Sequence, residues 1–274
     1  MKTNSRNNKW TALQECPSSS FSLAIVNGLP TAIGGFLNGR PTNNLFTYIE
    51  GKRGAEWELR FYPPMPTKRC NPAAVTSEKA LIVAGGETRP WGGDKIDSVE
   101  VMTTNDLLWL TVTRLPKPLS LMSAAVCKEE LYLLGGVDDN SIATDIVLSC
   151  SVPELLKTGK ITRRSSFQRR QPTACIDPNV WQECAPLPVY NATATTISGQ
   201  VLTIGGCDSN EDPTAAVYVY EKSESKWDLR SIMPTPRSSC LAVVMPSEKV
   251  LIAGGFIVRG VRTSTNTVVQ AFFV

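Results

Sequence analysis

The stretch KALIVAGGETRP, Lys79 to Pro90, is an apolar run cut off by the glycine pair Gly85-Gly86. Runs of the same kind end at Gly34-Gly35 (PTAIGGF), Gly135-Gly136 (LYLLGGV), Gly205-Gly206 (VLTIGGC) and Gly254-Gly255 (VLIAGGF). Successive pairs lie 51, 50, 70 and 49 residues apart, so one unit recurs five times and the third copy carries an insertion of about twenty residues. A glycine pair at a strand end permits a sharp turn and close backbone approach, so five pairs in phase read as structural. The chain contains neither GxxxxGK[ST] nor a spaced GxGxxG, which leaves no phosphate cradle to assign to them.

A tryptophan is the second mark of the unit. Trp57, Trp109 and Trp227 follow the second glycine of a pair by 21 to 23 residues, and Trp181 follows by 45 because the insertion intervenes. Proline-rich turns come next: FYPPMPTKR, LPKPLS, APLPVY and MPTPRS. The runs are short, rich in Val, Ile, Leu and Ala, and bounded by Gly, Pro, Asn and Ser, which favours strands over helices. Four strands in about fifty residues, with a glycine pair and a spaced tryptophan, describe a propeller blade. SVPELLKTG, Ser151 to Gly159, has room for a helix of one or two turns.

The glycine pairs, the spaced tryptophans and the MPTKR and MPTPR turns resemble kelch repeats from Trp10 to Val274. That resemblance implies an all-β, kelch-type propeller of about five four-stranded blades. The chain departs from the pattern in three ways: several tyrosines usual before the tryptophan are replaced, the third repeat is interrupted, and kelch rings more often hold six or seven blades. KWTALQE, beginning at Lys9, has the features of a fourth strand, so the last blade is expected to be closed by the N-terminal strand. The alternative is an incomplete six-bladed ring. Residues 1–9 are expected to be disordered, residues 10–274 to form one propeller, and a basic loop insertion to occupy about 156–176.

Composition narrows the function. The chain of 274 residues is 42% hydrophobic with a net charge of +3, enough apolar material for a substantial core. No apolar run approaches the roughly 20 residues of a membrane helix. MKTNSRNNKW is too polar for a secretory signal, so a cytoplasmic or nuclear location is expected. The eight cysteines stand singly without a CxxC, which reads as free thiols and leaves no zinc spacing. There is no histidine, which removes the commonest general base, the Ser-His-Asp and Cys-His arrangements and the imidazole metal ligands. No cofactor or metal is expected.

What remains is a scaffold presenting loops. Around the ring these loops offer Arg40, then Glu87, Arg89, Asp94 and Lys95, then Asp138 and Asp139, then Asp208, Glu211 and Asp212, then Arg259 and Arg262. With the ring closed, one sector is basic and the opposite one acidic, an arrangement that can orient a charged peptide; the plainer alternative is a set of solvated loops. Arg69 and Arg237 hold matching places in their turns, either toward a partner or holding blade junctions through backbone carbonyls. Phe36, Trp91 and Phe256 lie just past glycine pairs, and Trp91, which is not a repeat tryptophan, either tucks under its loop or stands out as an anchor. The insertion KTGKITRRSSFQRR carries six basic residues and no acid. It reads as a solvated loop, or as a regulatory element with Ser165 and Ser166 behind two arginines. The low net charge argues against nucleic acid.

Two functional classes follow. One is a protein-binding scaffold or adaptor for a protein or peptide. The kelch resemblance implies a ubiquitin-ligase substrate receptor acting with other chains, because no BTB, BACK or F-box segment is present to recruit the ligase. The other is an enzyme acting on a small sugar-like ligand in the propeller channel, which requires converging Glu, Arg and Gln side chains in a deep pocket.

Overall fold

The structure, a computed structural model, describes residues 2–4, 9–11, 14–51, 54–59, 61–90, 92–158, 178–245, 249–258, 261–262 and 270–273. Strands β1 (Lys2–Asn4) and β2 (Lys9–Thr11) pair as an antiparallel hairpin. Sheet one is built from β3 (Ser22–Val26) and β4 (Leu29–Ile33), followed after the short hairpin β5 (Phe36–Leu37) and β6 (Arg40–Pro41) by β7 (Leu45–Gly51) and β8 (Gly54–Glu58). Sheet two contains β9 (Ala73–Thr76), β10 (Ala80–Ala84), β11 (Ser98–Thr103) and β12 (Trp109–Arg114). Sheet three contains β13 (Ser123–Cys127), β14 (Glu130–Leu134), β15 (Val147–Ser151) and, after helix α1 (Val152–Thr158), β16 (Gln182–Glu183). Sheet four contains β17 (Thr193–Ile197), β18 (Gln200–Ile204), β19 (Ala216–Glu221) and β20 (Lys226–Ile232). Sheet five contains β21 (Leu241–Val244) and β22 (Lys249–Ala253) and, after the hairpin β23 (Phe256–Val258) and β24 (Val261–Arg262), β25 (Gln270–Phe273).

Each sheet is an antiparallel meander, and the chain is all-β with the architecture of a kelch-type propeller. Alternating side chains send one face of a strand to the sheet before it and the other to the sheet after it. Ala24, Val26, Ile33 and Leu45 of sheet one pack against Leu81, Val83 and Met102 of sheet two. Ile82, Val99 and Val101 then meet Leu131, Leu133 and Leu148 of sheet three. Tyr132, Leu134 and Val147 meet Val201 and Tyr220 of sheet four, and Leu202, Ile204, Val217 and Val219 meet Val250 and Ile252 of sheet five. Each fully buried Leu, Ile or Val contributes about 1.5–3 kcal/mol, so these four interfaces hold the array together.

The tryptophans pin the same junctions. Indole Nε1 of Trp109 donates to Pro63 O at 2.8 Å, that of Trp181 to Arg114 O at 2.7 Å, and that of Trp227 to Ala185 O at 3.0 Å. In each case a fourth strand is tied to the end of the preceding sheet. The glycine pairs adopt positive φ, with Gly85 at 60° and Gly86 at 104°. A Cβ on Gly85 would lie 2.2 Å from Leu119 O, so only glycine fits there.

At the N-terminus Lys2–Asn4 and Lys9–Thr11 form the β1–β2 hairpin, and β2 has no partner in sheet five among the described strands. Among the described residues, four sheets have four strands and sheet five has three.

Candidate functional site: the loop face

The end of each proline turn forms an isolated bridge to the residue after a glycine pair: Ser19 to Phe36, Cys70 to Glu87, Ser120 to Val137, Tyr190 to Cys207 and Ser238 to Phe256. Turns and glycine-pair loops therefore share one face of the molecule. Their side chains fall into three groups: those spent on the interior, those spent on turn geometry, and those left at the rim.

Arg69 and Arg237 belong to the interior, with exposures of 0% and 1%. Arg69 Nη1 donates to Gly85 O at 2.7 Å and Ser98 O at 3.0 Å, while Nη2 donates to Ser98 Oγ at 2.8 Å and forms an ion pair with Glu100 Oε1 at 2.7 Å. Glu100 also accepts from the amide and hydroxyl of Thr67. Burial pulls the Arg69 pKa down from its usual value, and the Glu100 charge opposes that shift. Arg237 Nη1 donates to Gly254 O at 2.7 Å. Of the two roles open to these arginines in the sequence, the geometry is that of junction clamps: neither side chain reaches the surface where a partner would touch it.

Glu87 and Lys95 are likewise withdrawn. Lys95 Nζ lies 2.6 Å from Glu87 Oε2, both side chains are almost wholly buried, and Asn71 Nδ2 donates to Glu87 Oε1 at 2.6 Å. Asp138 and Asp208 serve their own loops. Asp138 Oδ1 accepts the amides of Asn140 and Ile142 at 3.0 Å each, and Asp208 Oδ1 accepts those of Asn210 and Asp212 at 2.9 and 3.0 Å. These are Asx-type turns, repeated in sheets three and four. Asp139 Oδ1 accepts the Lys95 amide at 3.1 Å and joins two neighbouring loops.

Arg40, Arg89, Asp94, Asp139, Glu211 and Asp212 are exposed. Arg262 lies on β24, and only its backbone is described. Trp91, Arg259, Ser165, Ser166 and most of the basic insertion lie outside the described residues. Sequence reasoning missed Glu100, whose acidic side chain sits in an otherwise apolar strand, and the Asx turns, whose signal is the Asp-x-Asn shared by the loops after Gly135-Gly136 and Gly205-Gly206.

Other chemistry is sparse among the described residues. No three His, Cys, Asp or Glu side chains come together as metal ligands. Seven described cysteines are free thiols. Desolvation, reinforced by Glu87, pushes the Cys70 thiol up to about 11, and burial pushes Cys150 to about 12, which makes both poor nucleophiles at neutral pH. A cavity of about 320 Å³ opens between the β9–β10 and β13–β14 turns and α1, lined by Lys79, Val126, Lys128, Glu129, Val152 and Leu156. It lies at the strand ends opposite the glycine pairs. No helix is long and apolar enough to cross a membrane among the described residues.

The Kelch motif family model matches residues 188–234, which span the proline turn and the four strands of sheet four. Kelch-like protein 35 of Mus musculus is 24% identical over 267 residues, covering 86% of this chain and 44% of that protein. Kelch repeat and BTB domain-containing protein 3 of Homo sapiens is 25% identical over 207 residues, covering 64% of this chain and 33% of that protein. Kelch-like protein 41b of Danio rerio is 25% identical over 205 residues, covering 74% and 29% respectively. The chain thus spans less than half the length of these relatives. With its repeated glycine pairs, indole pins and meandering sheets, it is similar to the kelch-repeat proteins.

Proposed function

We propose that this chain is a protein-binding scaffold whose loop face recognises a protein or peptide partner. The observation that carries the reading is the bridging of every proline turn to a glycine-pair loop, which gathers ten variable segments onto one face of a rigid β framework. The exposed charges there can pair with a charged peptide, with Arg40 facing acids and Asp139, Glu211 and Asp212 facing bases, and the sequence adds Arg259 and Arg262 to the basic side of the same reading. Partner-binding roles for Trp91, Asp138 and Asp208 belong to the same reading: the second carboxylate oxygen of each aspartate stays available beside its turn.

The names of the relatives support a finer reading. One relative is called a BTB domain-containing protein, and the present chain matches about a third of it. We infer that the propeller acts as the recognition half of an adaptor of the ubiquitin-ligase substrate-receptor kind, working with a recruiting element carried elsewhere. Modification of Ser165 or Ser166 would lower the positive charge of the insertion and tune such docking. A small-ligand enzyme is less supported, because the cavity found lies beside turns at the far strand ends and is lined by Lys, Glu and apolar side chains.

The test compares partners captured in source cells by the intact chain and by an Arg40→Glu, Arg259→Glu, Arg262→Glu variant with an unchanged circular-dichroism spectrum. Partners lost only in the variant are the expected result. Identical partners with both chains would remove the basic sector from the recognition site.

A further inference from the structure

The turns on the loop face end alike. The residue after each bridging position takes a positive φ: Ser20 at 52°, Asn71 at 48°, Leu121 at 57°, Asn191 at 52° and Ser239 at 50°. Hydrogen bonds link these turn ends, from the Asn71 amide to Ser20 O at 2.7 Å, from the Leu121 amide to Asn71 O at 3.0 Å and from the Ser239 amide to Asn191 O at 3.0 Å. Four of the five carry a short polar side chain, the kind that enters the left-handed region through local hydrogen bonding; a bulky leucine there is an outlier. The interior gains nothing from it: Leu121 is 40% exposed and belongs to none of the four apolar clusters. Asn71, at the equivalent place, donates its side-chain amide to Glu87 and so serves the framework. Strain that presents an apolar side chain to solvent, with no packing to account for it, points to recognition.

The charges on the two turns that the Asn71–Leu121 bond joins have one sign. Residues 62–72 and 115–122 contain no Asp or Glu. Lys68 and Lys117 are exposed on these turns and have no carboxylate partner among the described residues. Lys79, Lys222 and Lys226, by contrast, each meet a glutamate. In the glycine-pair loop of sheet two, Glu87 and Asp97 are taken up by Lys95 and Arg114, which leaves Asp94 exposed. Leu121 therefore stands on a stretch of the face where two cations are available and the carboxylates of the adjoining loop are mostly engaged.

We propose that Leu121 is the apolar anchor of the loop face, a step that rests on the scaffold reading above, and that its partner is an acidic segment presenting one aliphatic side chain. That side chain packs on Leu121 while carboxylates beside it pair with Lys117 and Lys68. Burial of the two apolar groups holds the contact, and the lysines set the sign of charge that is accepted.

The probe is a capped pentapeptide, one leucine flanked by two glutamates on each side, titrated by NMR into the full chain. Amide shifts at Lys68, Lys117 and Leu121 are expected, with affinity about tenfold lower for peptides that carry alanine in place of the leucine or lysines in place of the glutamates. Leu121→Asn relieves the backbone, so it should raise the melting temperature by roughly 2–4 °C while weakening the leucine peptide about tenfold. A loss of structure cannot produce that combination. Equal binding by Leu121→Asn and the intact chain, or a melting temperature that does not rise, overturns the anchor and leaves the loop-face reading standing. Shifts confined to the opposite strand ends overturn both. The absence of any shift at millimolar peptide overturns the proposal as well.

Discussion

Glu100→Gln is the sharpest perturbation the structure offers. It removes the carboxylate 2.7 Å from Arg69 Nη2 while the guanidinium stays charged at 0% exposure. Leaving one member of a buried pair uncompensated costs about 3–5 kcal/mol. Arg69 keeps Gly85 O, Ser98 O and Ser98 Oγ as acceptors, which places the expected loss toward the lower end of that range. For a domain of this size the loss corresponds to a fall in Tm of roughly 6–20 °C. Arg69→Met should cost a similar amount, because it strands the Glu100 carboxylate with only Thr67 as a donor. The double variant Arg69→Met, Glu100→Leu buries no charge, so it should be more stable than the sum of the singles implies, by 2 kcal/mol or more on the order of the buried-pair penalty. Urea unfolding at neutral pH measures all four proteins, with equal m-values required for the comparison. A Glu100→Gln cost below about 1 kcal/mol, the worth of an exposed ion pair, would refute the reasoning, and so would single effects that simply add.

The glycine pairs give a second test: Gly85→Ala forces a Cβ to 2.2 Å from Leu119 O and should cost well over the 1–2 kcal/mol of a left-handed alanine, whereas Gly254→Ala, with open space around it, should cost about that conformational amount alone; similar melting temperatures would contradict this. The β13–β14 turn holds Lys128 at φ 49° and Glu129 at φ 62°, where the sister turns use Asn27-Gly28 and Ser198-Gly199. Glu129→Gly should therefore stabilise by about 1 kcal/mol in a urea titration, since the exposed pair to Lys79 that it removes is worth little. Thiol titration provides the pH test. Cys70 and Cys150 are raised from 9.0 to about 11 and about 12, so their contribution to stability is fully present below about pH 9 and is lost as pH rises through 11 to 12. Iodoacetamide at pH 8 should label them slowly in the native protein and rapidly in urea, and equal rates would show that burial does not protect them.

The fold was legible because the same physics is sampled five times. A single Gly-Gly is turn punctuation, but five in phase, four of them followed by a spaced indole, specify a strand end and a pin that recur along the chain. Helix α1 fell inside the short segment that sequence length allowed for it. The loop face was harder to read. Arg69 and Arg237 sit in turns that look exposed, and nothing local says that their guanidinium groups run inward to Gly85 O and Gly254 O. Glu100 lies within the buried strand SVEVMT, and its partner is 31 residues away in sequence. Asp138 and Asp208 drew notice as charges, yet their first role is geometric, because an aspartate two residues after a glycine pair caps the loop that follows. The Trp10 segment was legible as a strand, but its hairpin with β1 was not, since KTN carries no apolar alternation.

Repetition itself separates structure from recognition in this chain. A residue that recurs at one position of several repeats is meeting a demand those repeats share: the first glycine of four pairs approaches a neighbouring carbonyl, the indole reaches the preceding sheet, and in two turns an arginine clamps the glycine-pair carbonyl. Even between Arg69 and Arg237 the energetics diverge, because the third-strand position facing the first is Glu100 and its register equivalent in sheet five is Gln270. On the proposed scaffold reading, specificity toward a partner is expected where the repeats differ at the loop face: the loop at Arg40, the Arg89 and Asp94 loop of sheet two, Asp139 in sheet three, and Glu211 and Asp212 in sheet four. These positions are exposed and unlike one another.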